Sequence, residues 1–243
     1  MRILYGVNPV RELLRAGGEG VSELWLAEGG TRGAAFAELE RLGRAARAKV
    51  RAAPRAKLDR LAGTDRHQGV VAVVADFAYA ELEDLLAAAG ASGRPPLLVV
   101  LDGVEDPRNL GAILRSAYLL GASGVIIPEH RAAQVTAVAA KTSAGASELL
   151  PIAQVGNLVR ALEELRELGV WRVAVHAAEQ AQPIAQLDLK GPTVLVLGAE
   201  GSGVRPLVAK NCDFHALIPM ARAGVGSFNV SVAAALALYE ARR

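Results

Sequence analysis

The sequence predicts an α/β protein in two parts: a small N-terminal α/β domain, then a larger domain built on a mostly parallel sheet. Beyond residue 96, short runs that are apolar on both faces (97–102, 124–127, 171–175, 193–197 and 216–218) alternate with stretches of helical periodicity (110–120, 134–140, 158–168 and 230–239). Strands without a polar face belong to parallel sheets covered by helices on both sides. The segment before residue 78 carries shorter elements of the same kinds. Between the two lies a brief helical pattern (Leu82, Leu85, Leu86), followed by the breakers Gly90, Ser92, Gly93, Pro95 and Pro96. The expected division is 1–77, a linker at 78–96, and 97–243.

In the first part, residues 10–14 read as a helix, with Asn8 as its cap and Pro9 at its first position. Residues 22–27 read as a strand. Residues 34–48 have helical spacing, with Phe36, Leu39 and Leu42 on one side, and 70–74 form a short buried strand. With 243 residues and 52% hydrophobic content, the chain can bury a sizeable core. No apolar run reaches the roughly 18 residues that span a bilayer. The N-terminus meets Asn8-Pro9 and Arg11-Glu12 too early for a signal peptide. A soluble, cytoplasmic protein without membrane contact is expected. A single cysteine, Cys212, leaves no internal disulfide, and the four histidines are too scattered for metal-ligand spacing, so no metal is expected.

Residues 1–75 hold 13 Lys+Arg against 8 Asp+Glu, while 76–243 hold 14 against 17. The basic excess gathers at Arg41, Arg44, Arg47, Lys49, Arg51, Arg55, Lys57 and Arg60, with Asp59 the acid among them. Such a cluster either binds phosphates or is a solvated helix face.

Ligands of doubly wound sheets sit beyond the carboxyl ends of the strands, which singles out three loops. The first follows Asp102 and contains Asn109 and, in the next helix, Arg115. Asn109 reads either as a helix cap or as a ligand group. Arg115 reads either as a solvated charge or as one facing a ligand. The second is Leu197-Gly198-Ala199-Glu200-Gly201-Ser202-Gly203. Its spacing is G-x-x-G-x-G, not the dinucleotide-binding G-x-G-x-x-G, and no phosphate-binding Gly-Lys-Ser/Thr is present. Glu200 within it would repel phosphates and suits a cationic ligand, or hydroxyls and amines; as a plain turn, it would only carry a surface glutamate. The third runs from Ile218-Pro219-Met220 through Gly224, Gly226, Ser227, Phe228 and Asn229 into an apolar helix. Its glycines allow a close backbone approach, and its short polar side chains supply aimed hydrogen bonds.

Together the loops resemble the SpoU branch of the SPOUT methyltransferases. Asn109, Gly111 and Arg115 fall into that family's Asn-x-Gly-x-x-x-Arg motif; Gly198, Glu200 and Gly203 into its Gly-x-Glu-x-x-Gly motif; and residues 218–231 into its Pro-Met … Gly-Ser-apolar-Asn-Val-Ser motif, with Phe228 where leucine is more usual. The N-terminal part is similar to the substrate-binding domain of bacterial 23S rRNA guanosine-2′-O-methyltransferases, through Tyr5-Gly6-x-Asn8-Pro9-Val10 and His67-Gln68-Gly69-Val70.

The resemblance implies a C-terminal trefoil knot, a homodimer with the site at the subunit interface, and methyl transfer from S-adenosylmethionine to a ribose 2′-hydroxyl of RNA. It places the cofactor at Leu197, Gly198, Gly203, Ile218, Met220 and Phe228, and catalysis at Arg115, Asn109, Glu200, Ser227 and Asn229. Because an arginine stays protonated, Arg115 is expected to orient the hydroxyl and its phosphate rather than act as a base. Arg41, Arg44, Arg47, Lys49, Arg51 and Arg55 are then expected to contact RNA, 23S rRNA first. A tRNA ribose methyltransferase, an antibiotic-resistance rRNA methyltransferase and a non-catalytic RNA-binding protein are the competing expectations. The glycine spacing disfavours a nucleotide-dependent oxidoreductase.

Overall fold

The computed structural model describes residues 1–29, 33–91, 93–222 and 226–243. Ser92 and Gly224, both singled out in the sequence, lie outside the described residues. The chain divides into two compact units, Met1–Ala78 with Val135–Leu149, and Tyr79–Gln134 with Leu150–Arg243. This differs from the sequence expectation in two ways: residues 79–96 fold with the second unit, and a segment from inside the expected 97–243 domain folds with the first.

The first unit opens with β1 (Arg2–Tyr5), α1 (Val7–Arg15), β2 (Val21–Ala27), α2 (Ala34–Ala45), β3 (Lys49–Ala53), α3 (Arg55–Ala62) and β4 (Val70–Val74). Helix α1 starts three residues before the expected point. Gly6, at φ 98°, is its cap, and Asn8 accepts from Arg11 instead of capping. Pro9 sits in the first turn, where the N–H it lacks would have had no helical partner. The strands pair in the order β1-β4-β2-β3, with β3 the parallel edge strand. Leu4, Leu24, Leu26, Val70 and Ala72 face α1 and α2; Tyr5, Trp25, Ala53 and Val71 face α3. The two sets alternate along each strand, as a sheet covered on both faces requires.

The second unit begins with α4 (Leu82–Ala91), β5 (Leu97–Asp102), α5 (Pro107–Leu119) and β6 (Gly124–Pro128). The chain then supplies α6 (Ala137–Thr142) and a 3-10 turn (Ala146–Glu148) to the first unit. There Ala140 joins the core on the α1 side and Glu148 pairs with Arg2 at 2.5 Å. The second unit resumes with β7 (Ile152–Val155), α7 (Leu158–Glu167), β8 (Trp171–Val175), β9 (Gln182–Pro183), β10 (Thr193–Gly198), α8 (Pro206–Lys210), β11 (Phe214–Leu217) and α9 (Val230–Arg242).

Its sheet has the order β7-β6-β5-β10-β8-β11-β9, and every pairing is parallel. Leu98, Val100, Val194 and Val196 pack under α4, α7 and α8. By strand alternation Val99 and Leu195 face the other side, where α9 lies on β10 and packs against α5. Parallel strands put all their carboxyl ends on one edge, and β5, β10, β8 and β11 are neighbours there.

One charge pair is built into this core. Arg172 on β8, 4% exposed, donates from its backbone N and Nε at 2.9 Å to Asp213, just before β11. Burial alone would raise the Asp213 carboxyl; hydrogen bonds and charge from Arg172 outweigh it and hold the carboxyl below its ordinary value. The stabilisation is therefore complete above about pH 4 and drains away as pH falls below that. Arg172→Ala is expected to lower stability by about 3 kcal/mol at pH 7, measured by urea unfolding, because the remaining carboxylate loses its partner.

Candidate active site

At the carboxyl edge a cleft of about 300 Å³ opens between the ends of β8, β10 and β11 and the start of α9. Its floor is apolar: Leu197 is the last residue but one of β10, Leu217 ends β11 and Ile218 follows it, and Val230 and Ala233 belong to the start of α9. The β10 loop folds back on itself, with the Gly203 N–H donating to the Ala199 carbonyl at 2.9 Å, so that Glu200, Gly201 and Ser202 form the cleft's rim. This fold-back fixes the glycine. A Cβ on Gly198 would overlap the Gly203 carbonyl and the Val204 nitrogen, so no other residue fits without opening the turn.

The three loops expected from the sequence meet through one side chain. Asn229 Nδ2 donates to Glu200 Oε1 at 2.7 Å and to Asn109 Oδ1 at 3.2 Å. Asn229 Oδ1 meanwhile accepts from the Ser231 backbone at 2.9 Å and so caps α9. Asn109 is not the cap of α5: Asp106 takes that role, accepting from the Arg108 N–H at 2.8 Å, with Pro107 next. This leaves the Asn109 amide available to the network.

Of the remaining expected residues, Leu197, Gly198, Gly203, Ile218, Met220, Ser227 and Phe228 all line the cleft. Phe228 is 39% exposed while doing so, a rim position rather than an enclosed wall. Arg115 is exposed on α5 and lines neither this cleft nor the adjoining cavity of about 350 Å³ between Asn109 and Glu200.

Several contributors are not expected from the sequence. Val175, His176 and Ala177 line the cleft from the end of β8. That strand is legible as an apolar run, but its position between β10 and β11 is not. His176 sits 2.8 Å from the His215 ring, and burial, with His215 second, lowers its pKa, so it is uncharged near neutral pH. Asp102, its side chain fully buried, accepts from the backbone N (2.8 Å) and Nε (2.7 Å) of Arg205 and ties the end of β5 to the start of α8. A charge closing an apolar strand is a signal that could have found it. Burial pushes the Cys212 thiol up to about 12, which leaves it no nucleophilic role at neutral pH.

Among the described lining residues there is no lysine or arginine, and Glu200 is the one carboxylate. Apolar floor, strand-end backbone and a carboxylate without cations suit a neutral aromatic ligand joined to a cationic centre, and oppose phosphates.

Residues 96–239 match the SpoU rRNA Methylase family. The chain belongs to that family. Residues 3–80 match a second description, RNA 2′-O ribose methyltransferase substrate binding. A 23S rRNA (guanosine-2′-O-)-methyltransferase of Pseudomonas aeruginosa is 44% identical over 99% of this chain and 95% of its own length. The enzyme so named in Ralstonia nicotianae is 42% identical over 100% and 95%. The SpoU methyltransferase AviRb of Streptomyces viridochromogenes, solved with its cofactor AdoMet, superposes with a TM-score of 0.80 at 28% identity, over 99% of this chain and 88% of that one. The three loops all lie within the matched stretch, residues 96–239. Gly198→Ala is expected to weaken S-adenosylmethionine binding by about tenfold or more in isothermal titration, through the backbone overlap described above.

Proposed function

We propose that the protein transfers a methyl group from S-adenosylmethionine to a ribose 2′-hydroxyl of structured RNA, a guanosine of 23S rRNA being the target. The observation that carries this is a cleft with no lysine or arginine among its described lining residues, bordered by the Asn109–Asn229–Glu200 network, in a chain matched along its whole length by enzymes named for that reaction. Bound S-adenosylmethionine supplies a methyl group activated by its positive sulfur, so no metal is needed. Backbone at Leu197, Gly198, Gly203, Ile218, Met220 and Phe228, all lining the cleft, would hold the cofactor, and Glu200 would balance its charge. When bound, the cofactor would donate that methyl group to the ribose 2′-oxygen with the neutral thioether as leaving group, and the hydroxyl proton would leave to water. Arg115 orients the ribose and its phosphate and stabilises negative charge on the oxygen; Asn109, Ser227 and Asn229 position them.

A homodimer completes the site. Arg115 shares its helical face with Tyr118 and Leu119, and α9 presents Val232, Leu236 and Tyr239 at intervals of one and two turns, all exposed and apolar. A second copy seated there buries this surface and carries Arg115 toward its partner's cleft. The trefoil knot is likewise part of the proposal: α9 returns across β10 to α5 after the chain has already passed out to β11. RNA contact falls to the basic region of the first unit, where Arg41, Arg44, Arg47, Lys49, Arg51 and Arg55 are all exposed on or beside α2, β3 and α3. Among the described residues, no helix is long and apolar enough to cross a membrane, and action in the cytoplasm, where rRNA is made, belongs to the same reading.

Transfer of labelled methyl from S-adenosylmethionine to 23S rRNA, with mapping of the 2′-O-methyl mark, tests this. Arg115→Ala is expected to lower turnover by about 10²-fold or more while cofactor affinity stays within about twofold. Arg115→Lys is expected to restore little, since charge is kept and the guanidinium fork is lost. Near-normal turnover in Arg115→Lys would remove the proposed role.

A further inference from the structure

The basic cluster of the first unit is split by the sheet. On the α2 side Arg41 and Arg44 stand on the helix, and Arg44 is already paired with Glu40 at 2.7 Å. On the α3 side Lys49 and Arg51 leave β3 on one face, and α3 adds Arg55 and Lys57; all four are exposed. Two of them converge on one ring. Arg51 Cζ lies 5.3 Å and Lys57 Nζ 4.0 Å from the Trp25 centroid.

The ring itself is fixed. Trp25 Nε1 donates to Glu23 Oε2 at 2.9 Å, and Glu23 Oε1 lies 3.4 Å from Arg51 Nη2. Trp25 is only 8% exposed, so it has no free face on which a base could stack. Its role is to hold cations in place, since an indole attracts a charge centred over its face. Lys57, with Arg55, stands where the fold disfavours a cation: α3 begins at Arg55 with Pro54 before it, without a side-chain cap and without an acid in its first turn, so positive side chains meet the positive end of the helix. An anion placed among them turns that repulsion into attraction.

We infer that the β3–α3 face, not the α2 face, is the main binding site for the RNA phosphodiester backbone, with Lys49, Arg51 and Lys57 contacting phosphates and Trp25 as their positioning residue. This rests on the RNA methyltransferase reading and deepens it by naming the surface. Charge contacts without base stacking place an RNA by its backbone shape and carry no sequence information.

The test is binding of a labelled 23S rRNA transcript to the full-length protein between about 50 and 300 mM KCl. The wild-type log affinity is expected to fall linearly with log salt. The triple variant Lys49→Gln/Arg51→Gln/Lys57→Gln is expected to reduce that slope by about two to three, roughly 0.7–0.9 for each phosphate no longer neutralised. Arg41→Gln/Arg44→Gln should reduce it by less than one. Trp25→Phe keeps an apolar ring but removes the Glu23 bond and part of the attraction for cations; it should weaken binding about two- to fivefold at low salt. Unchanged S-adenosylmethionine binding and melting temperature in each variant exclude unfolding. A slope unaltered in the triple variant, or lowered as much by the α2 pair, overturns the inference and leaves the enzymatic reading standing. A wild-type protein with neither salt-dependent RNA binding nor methyl transfer to RNA ends both.

Discussion

One amide, that of Asn229, ties together three loops that are far apart in the sequence. Its nitrogen reaches back to Asn109 at the start of α5 and to Glu200 on the β10 loop, and its oxygen caps the helix that follows. The two ends cannot be exchanged, because a reversed amide would set oxygen against the Glu200 carboxylate and an N–H against the Ser231 N–H. The geometry of the cleft follows from this tie. It brings the three loops to one place, sets where α9 begins, and holds the Glu200 carboxylate in a chosen direction, with no lysine or arginine among the described residues that line the cleft.

The parallel sheet makes such a tie possible. Strands β5, β10, β8 and β11 all end on one edge, so loops far apart in sequence start from neighbouring points. The floor of the cleft is strand-end backbone and apolar side chain, which recognises shape and hydrogen-bonding edges. Its electrostatics are left to Glu200 and to an imidazole that is neutral near pH 7. Among the described residues no lysine or arginine lines this cleft, whereas exposed ones stand in numbers on and around the small sheet.

What the sequence makes legible, and what it hides, follows from the range of each signal. Gly198, Glu200 and Asn229 are local signatures, because a tight fold-back and a helix start leave few residue choices. The apolar runs of the large sheet are equally plain. Strands β1, β3 and β7 escape the sequence for a physical reason: they are four or five residues long, and β3 (Lys49, Val50, Arg51, Ala52, Ala53) is an edge strand whose charges read as helix surface. Asn8-Pro9 imitates a helix start, but the real one depends on Gly6 at positive φ. The share of Val175, His176 and Ala177 in the cleft depends on strand order, which no local pattern encodes. Arg115 is marked by its motif, yet its place outside its own cleft cannot be read from spacing along a helix.

The first unit is not finished where its contiguous sequence ends. Ala140 sits in its core, Lys141 bonds Gln68, and Glu148 pairs with Arg2, all from a segment that follows residue 134. A chain emerging from the ribosome therefore carries this unit with an open side from residue 78 until residue 149 has appeared, roughly 4 to 14 s later at ordinary elongation rates. During that interval β5, α5 and β6 are already emerging, so the two units must be sorted from one another while both are incomplete. Cutting the chain after the first contiguous stretch leaves the same open side permanently.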